Sequence, residues 1–130
     1  MKNFIDRLSE ICYICNMIDW NDIVKFYESK LDVGVYASDP IDPNYYSVSW
    51  GRRWTLCVLY KDKIIVGEIR FYTVEEGGIE ADYNNSVRYE LADCGTELYD
   101  KLNVFYEQSK LNYKNFLINQ KLNEIDKEFE

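Results

Sequence analysis

The chain has 130 residues, of which 47% are hydrophobic and 16% aromatic, and its formal net charge is −8. This composition excludes a disordered protein, and no apolar run approaches the roughly 18 residues that a membrane span requires. Because the N-terminus has acidic residues in its first turns and no secretory apolar segment, we expect a cytoplasmic protein with a single domain over residues 1–130 and with its cysteines reduced.

The negative charge is concentrated in residues 75–100. This segment carries one arginine and eight acidic residues, whereas the acids and bases of residues 1–74 and 101–130 nearly cancel. The eight acids are Glu75, Glu76, Glu80, Asp82, Glu90, Asp93, Glu97 and Asp100. Their field disfavours direct binding of nucleic acid and favours a basic protein partner. A solvated face that only keeps the protein in solution is the alternative interpretation.

Two helical patterns open the chain. Apolar residues recur at steps of three and four over residues 4–18 and again from Trp20 to Leu31, with Asp19 as an N-cap between them. The patterns predict helical structure over residues 1–31, as two short helices or one bent helix. Cys12 and Cys15 form a CxxC inside the first pattern, and at this helical spacing we interpret them as packed core residues rather than as zinc ligands or a redox pair.

Residues 33–92 predict an antiparallel meander sheet. A short strand near Val33–Ala37 is followed by segments with two-residue alternation, namely YYSVSW, WTLCVLY, KIIVGEIRFYTV, IEADY and SVRYEL. These segments indicate four or five strands joined by short turns.

Two turns fix the expected register of the sheet. A turn at Lys61–Asp62 places three residues of one strand on a common face with three of the next: Trp54 opposite Ile69, Leu56 opposite Gly67 and Val58 opposite Ile65. A tight turn over residues 76–78, with one glycine at positive φ, would put Phe71 beside Tyr83.

The stretch SWGRRW, residues 49–54, predicts a hairpin turn over Gly51–Arg53. Trp50 and Trp54, on either side of the turn, are then mainly core side chains. Arg52 and Arg53 remain exposed and form a small basic spot on an otherwise acidic molecule.

Residues 96–128 predict one long helix with Thr96 as its N-cap, because no glycine or proline follows Gly95. Such a helix would be on the order of 50 Å long, which exceeds a small sheet. We therefore expect it to bend, to break near residues 109–112 where Ser109 weakens the apolar stripe, to overhang, or to pair with a second copy in a homodimer. The expected fold class is α+β, with the helices packed mainly on one face of the sheet.

The sequence offers no catalytic motif. It contains no histidine, which excludes Ser-His and Cys-His schemes and histidine-based metal sites. Phosphate-binding glycine loops and EF-hand loops are also missing from it. We expect a protein that is not an enzyme and that needs neither a cofactor nor a metal.

In size, acidity and lack of a catalytic motif, the chain is similar, as a class, to the small inhibitors that phages carry against host defence, such as anti-CRISPR proteins. The eight acids support an inhibitor that presents carboxylates in place of phosphates to a basic, nucleic-acid-handling enzyme. Three alternatives stay open: a toxin-immunity protein, an assembly protein that oligomerises through the long helix, and a small-ligand-binding module with an aromatic pocket formed by Trp20, Trp50, Trp54 and Tyr60.

Overall fold

The computed structural model describes residues 18–128. In chain order it contains helix α1 (Trp20–Glu28), strands β1 (Val33–Ala37), β2 (Tyr45–Trp50), β3 (Trp54–Tyr60), β4 (Lys63–Gly67), β5 (Arg70–Thr73), β6 (Ile79–Asp82) and β7 (Ser86–Glu90), a 3-10 turn (Leu91–Asp93) and helix α2 (Glu97–Glu128). The predicted α+β fold is confirmed: an N-terminal helix and a long C-terminal helix accompany a five-stranded antiparallel sheet. Neither helix is long and apolar enough to cross a membrane within this described range.

The first helix begins where the sequence predicted. The carbonyl of Asp19 accepts hydrogen bonds from the N–H groups of Asp22 and Ile23, and its own backbone is extended, as an N-cap requires. Trp20, Ile23 and Tyr27 are buried as expected. Leu31 was wrongly placed in this stripe: the helix ends at Glu28, and Leu31 is fully exposed in the connection to β1. The helical pattern over residues 4–17, with Cys12 and Cys15, lies outside the described residues.

The sheet is a meander, and its last part is a long hairpin interrupted in the middle: β4 and β5 form one side, and β6 and β7 return along the other. We call this long hairpin the ribbon. The strand order of the sheet is β1-β2-β3-β4-β7, with β5 and β6 as a separate hairpin. The β4–β7 ladder ends at the pair Gly67–Ser86, and the β5–β6 ladder starts at the pair Arg70–Asp82. Two residues on one side therefore face three on the other, which is the irregularity of a β-bulge. The segment predicted as one strand, residues 63–74, is thus broken in its middle; we call β6 and β7 together the outer arm.

Helix α2 holds this break in place. The backbone N–H of Ile69 donates to Ser109 Oγ at 2.9 Å, and Asn112 Nδ2 donates to the carbonyl of Ile69 at 2.9 Å and to Glu68 Oε1 at 2.7 Å. Both backbone groups that Ile69 withdraws from the ladder are satisfied by side chains of the helix. Helix α2 is continuous, so of the four possibilities for its length the break near residues 109–112 does not occur, and Ser109 is fully buried rather than a weak point.

The predicted register between β3 and β4 is confirmed at the pair Val58–Ile65. The ladder ends at Cys57–Val66, so that the expected pairs of Trp54 and Leu56 do not form. A bulge against β2 explains this, because Val48 pairs with Cys57 and Ser49 with Thr55, leaving Leu56 as the extra residue. Alternation is reset there, and Leu56 and Cys57 are both buried.

The turn between β5 and β6 is centred one residue earlier than predicted. Phe71 pairs with Ala81 and not with Tyr83, because the N–H of Val74 donates to the carbonyl of Gly78 and closes the turn around residues 75–77. The face of Phe71 is unchanged, since the shift amounts to two residues. Gly77 has φ 82°, the positive value that the sequence predicted for one glycine of this turn.

The core lies between the sheet and the two helices. Ile23 and Tyr27 of α1, Leu59 and Ile64 of the sheet, and Leu98 of α2 belong to one buried cluster. Burying these side chains supplies the main drive for folding at roughly 25 cal/mol per Å² of apolar surface. Because β7 is the edge strand of the sheet, the outer arm lies at one side of this core.

Candidate partner-binding surface

The first four acids lie at the free end of the ribbon. Glu75 and Glu76 are in the exposed loop that joins β5 and β6, and Glu80 and Asp82 follow on β6. Ile79 and Ala81 pack against the core. Because successive side chains of a strand point to opposite faces, Glu80 and Asp82 point away from the core.

The other four acids lie at the opposite end of the outer arm. Glu90 ends β7, Asp93 is in the 3-10 turn, and Glu97 and Asp100 are in the first turn of α2. A turn separates the two strands of the outer arm, since the N–H of Ser86 donates to the carbonyl of Tyr83 at 3.3 Å. Because β7 is the edge strand of the five-stranded sheet, the eight carboxylates lie in two groups along this edge, one at each end of the outer arm.

Basic side chains interrupt this edge in its middle. Arg88 Nε contacts Glu90 Oε1 at 2.5 Å, Lys63 is the cross-strand neighbour of Glu90, and Arg70 is the cross-strand neighbour of Asp82. Opposite charges at such positions attract. Glu90 and Asp82 are therefore partly neutralised, and the field is strongest at the two ends of the edge.

Two acidic patches result. The tip patch consists of Glu75, Glu76 and Glu80, and the helix-start patch consists of Asp93, Glu97 and Asp100. All six residues are exposed, and within residues 18–128 none of them forms an ion pair within 4 Å. Acidic side chains in a first helical turn also interact favourably with the helix dipole.

Glu97 is the most firmly positioned carboxylate of the helix-start patch. Its Oε1 accepts a hydrogen bond from the backbone N–H of Gly95 at 2.8 Å. Backbone hydrogen bonds from Gly95 and from Glu97 itself, with the nearby charge of Lys101, lower the pKa of this carboxyl below its usual value. Glu97 is therefore ionised at neutral pH.

The predicted basic spot, Arg52 and Arg53, lies in a tight turn, and the side chain of Arg53 also makes contacts that stabilise the fold. Gly51 and Arg52 have φ of 60° and 62°, and the N–H of Arg53 donates to the carbonyl of Trp50 at 3.3 Å, as in a hairpin turn. Both arginines are exposed, as expected. The guanidinium of Arg53 nevertheless lies 4.3 Å from the ring centroid of Trp54 and donates to the carbonyl of Ile79 at 2.8 Å, so this side chain ties the turn to the outer arm.

Arg53→Ala should therefore lower the free energy of unfolding by about 1 kcal/mol, the sum of a modest hydrogen bond and an exposed cation–π contact. Arg52→Ala is the matched control and should change it by less than about 0.5 kcal/mol. Urea denaturation of the two variants measures the difference. Equal values for both variants would contradict a structural role for Arg53.

The four residues of the predicted aromatic pocket do not line one cavity. Trp20 contacts Tyr46 at a centroid distance of 5.0 Å, and Tyr60 contacts Tyr45 at 5.8 Å at the far end of β3. Trp50 and Trp54 instead form a packed aromatic cluster with Phe71 and Tyr113. Their edge-to-face contacts are typical of a core.

A polar cluster that the sequence did not reveal joins the α1–β1 connection to α2. Tyr106 donates its hydroxyl hydrogen bond to Asp32, and Lys110 Nζ lies 3.4 Å from Asp32 Oδ2. Partial burial alone would raise the pKa of Asp32, but the hydrogen bond from Tyr106 and the charge of Lys110 together lower it. Since 74 residues separate Asp32 from Tyr106, no local motif could indicate this contact.

The thiols of the two described cysteines, Cys57 and Cys94, both have raised pKa values. Complete burial raises the pKa of the Cys57 thiol to about 12, so that it is protonated at neutral pH and its nucleophilic thiolate is essentially absent. Between residues 18 and 128, no group of three or more His, Cys, Asp or Glu side chains is placed to hold a metal ion.

Comparison of the chain with protein-family models, with curated proteins and with solved structures found no match.

Proposed function

We propose that the protein is a non-enzymatic inhibitor that binds one protein partner in the cytoplasm through its acidic edge. The observation that supports this proposal is the pair of exposed acidic patches at the two ends of the outer arm. Side chains that were needed only for solubility would have no reason to collect on one edge of the molecule.

The partner is a protein with a basic surface, and the best fit is an enzyme that handles nucleic acid. Such enzymes carry a positive groove that neutralises a row of phosphates. Carboxylates held on a strand, a tight loop and a helix start can occupy the same groove as fixed negative charges. Inhibition then follows from exclusion of the nucleic acid, as in an anti-defence protein of a phage or mobile element, and requires no catalytic residue.

Charge reversal tests this proposal. In the patch variant Glu75, Glu76, Glu80, Asp93 and Glu97 are replaced by lysine, and the partner captured by the wild-type protein from host lysate should be lost. With the purified partner, the association rate should fall by at least about tenfold, because long-range attraction controls the encounter. High salt should weaken wild-type binding, and wild-type protein should inhibit nucleic-acid processing by the captured enzyme.

A control variant separates the patches from net charge. Glu28, Asp42 and Glu124 are exposed acids elsewhere on the chain. Their replacement by lysine, compared with a tip-patch variant that reverses only Glu75, Glu76 and Glu80, changes the net charge equally. Binding that responds equally to both triple variants, or that ignores salt, would refute the assignment of the acidic edge.

A further inference from the structure

Helix α2 carries a second row of apolar side chains that the described residues, 18–128, leave exposed. Val104, Leu111, Ile118 and Ile125 follow one another at intervals of seven residues. Their exposed fractions are 64%, 47%, 46% and 47%, and Leu122 beside them is 53% exposed. Single exposed apolar residues are ordinary on a protein surface, but a row at a fixed interval along a helix requires an explanation.

This row lies on the side of α2 that faces away from the sheet. Ser109 is fully buried against β5, and Ile118 follows nine residues later. At about 100° per residue, nine residues correspond to two and a half turns, so Ile118 points opposite to Ser109. The helix thus has two apolar faces, one covered by the sheet and one exposed in the described part of the chain.

An interval of seven residues is close to two turns of a helix, so the row supplies one of the two apolar positions per heptad at which paired helices meet. Apolar residues at this interval drift by only about 20° per repeat, and the slight left-handed supercoil of two paired helices removes the drift. The expected occupant of the face is therefore a second helix rather than a sheet or a flat surface.

A charged row runs beside the apolar row at the same interval. Asp100, Glu107, Lys114 and Lys121 are also seven residues apart, with two acids before two bases, and Glu128 follows at the same interval at the end of the helix. An antiparallel copy of the helix would bring Glu107 opposite Lys114 of the second copy and Asp100 opposite its Lys121. An alignment displaced by one residue, about 1.5 Å along the helix, brings Val104 opposite Ile118 and Leu111 opposite Leu111, so the two rows match to within that distance.

A groove on the surface of α2 contains parts of both rows. It is open to solvent, has a volume of about 850 Å³, and its lining includes Trp50, Glu107, Leu111, Lys114, Ile118 and Lys121. The groove offers an apolar floor with charges along its side, which suits an amphipathic helix of matching charge.

We propose that α2 pairs with α2 of a second copy of this chain, antiparallel, along the row Val104, Leu111, Ile118 and Ile125. The second copy is the occupant because the charge order of the row is complementary to itself only when the helix is reversed. An interface of this kind is isologous, with the two-fold axis near Leu111. The dimer does not depend on the proposed inhibitory function, and it uses only Asp100 of the eight edge acids.

Sedimentation equilibrium tests the dimer. The wild-type chain should show twice its mass of 15.5 kDa, and Leu111→Ser with Ile118→Ser should raise the dissociation constant by at least tenfold. Leu31→Ser with Ile41→Ser is the matched control, because these two apolar side chains are almost fully exposed outside α2. A monomeric wild type, or loss of the dimer in the control alone, would overturn the proposal.

Charge exchange tests whether the charged row lies at the dimer interface. One variant carries Lys114→Glu and Lys121→Glu, and the other carries Asp100→Lys and Glu107→Lys. Each should be monomeric alone, because its row then has a single sign, and mixing the two should restore a dimer. The mixture also controls for misfolding, since unfolded chains would not recover a defined dimer. Dimers of either variant alone, or no dimer on mixing, would refute this charge pairing.

Discussion

Replacing Trp54 by alanine should lower the free energy of unfolding by about 3–5 kcal/mol, the usual loss for a large aromatic side chain in a core. Trp54 is 7% exposed, and its ring meets that of Phe71 at a centroid distance of 5.0 Å and that of Tyr113 at 6.0 Å. These residues belong to β3, β5 and α2, so the cavity would open where three elements meet. A domain of this size has a total stability of about 5–15 kcal/mol.

Urea and thermal denaturation measure this loss, and the melting temperature should fall by about 15 °C at roughly 4 °C per kcal/mol. Trp54→Phe should recover much of the stability because it keeps an aromatic ring beside Phe71. Tyr36→Ala on the edge strand β1 is the control for an aromatic side chain that is 51% exposed, and should cost about 1 kcal/mol or less. A comparable loss in both alanine variants would contradict the core position of Trp54.

The parts of the fold that were correctly predicted depend on residues close together in the sequence. The stripe of Trp20, Ile23 and Tyr27 defines α1 by its spacing alone, and β1 has the predicted bounds. The turn at Gly51–Arg53 and the pair Val58–Ile65 follow from a short loop and from the need to keep apolar residues on one face. Each of these features is decided by local chemistry.

The features that were not predicted depend on distant contacts. The ribbon breaks at Glu68–Ile69 because side chains about 40 residues later bind its backbone, and the bulge at Leu56 depends on how β3 matches β2. For the candidate site, the sequence correctly supplied the eight acids. Their division into two patches depends on Lys63 and Arg70 as cross-strand neighbours, which no composition or spacing could indicate.

The combined variant Ser109→Ala and Asn112→Ala should lower the free energy of unfolding by about 3 kcal/mol. Ser109 is fully buried, and its hydroxyl oxygen accepts from the N–H of Ile69 while its hydrogen is donated to the carbonyl of Phe105 at 2.7 Å. Without these side chains the N–H and carbonyl of Ile69 lose their partners, and each buried backbone group left unpaired costs about 1–3 kcal/mol. The apolar surface lost is small, so the effect would report the polar contacts.

Hydrogen exchange of individual amides locates this effect. The amide of Ile69 and those of β5 and β6 should exchange faster in the double variant. The exchange rates of the β2 and β3 amides should change only as far as the global stability changes. Asn119→Ala, at an exposed position of the same helix, should leave all of them unchanged. Because the hydrogen bonds of Ser109 and Asn112 hold the β5–β6 hairpin on α2, their loss should also make the tip patch more mobile and weaken its contribution to partner binding. Faster exchange spread evenly over the whole sheet would show that these hydrogen bonds stabilise the fold as a whole without positioning the hairpin.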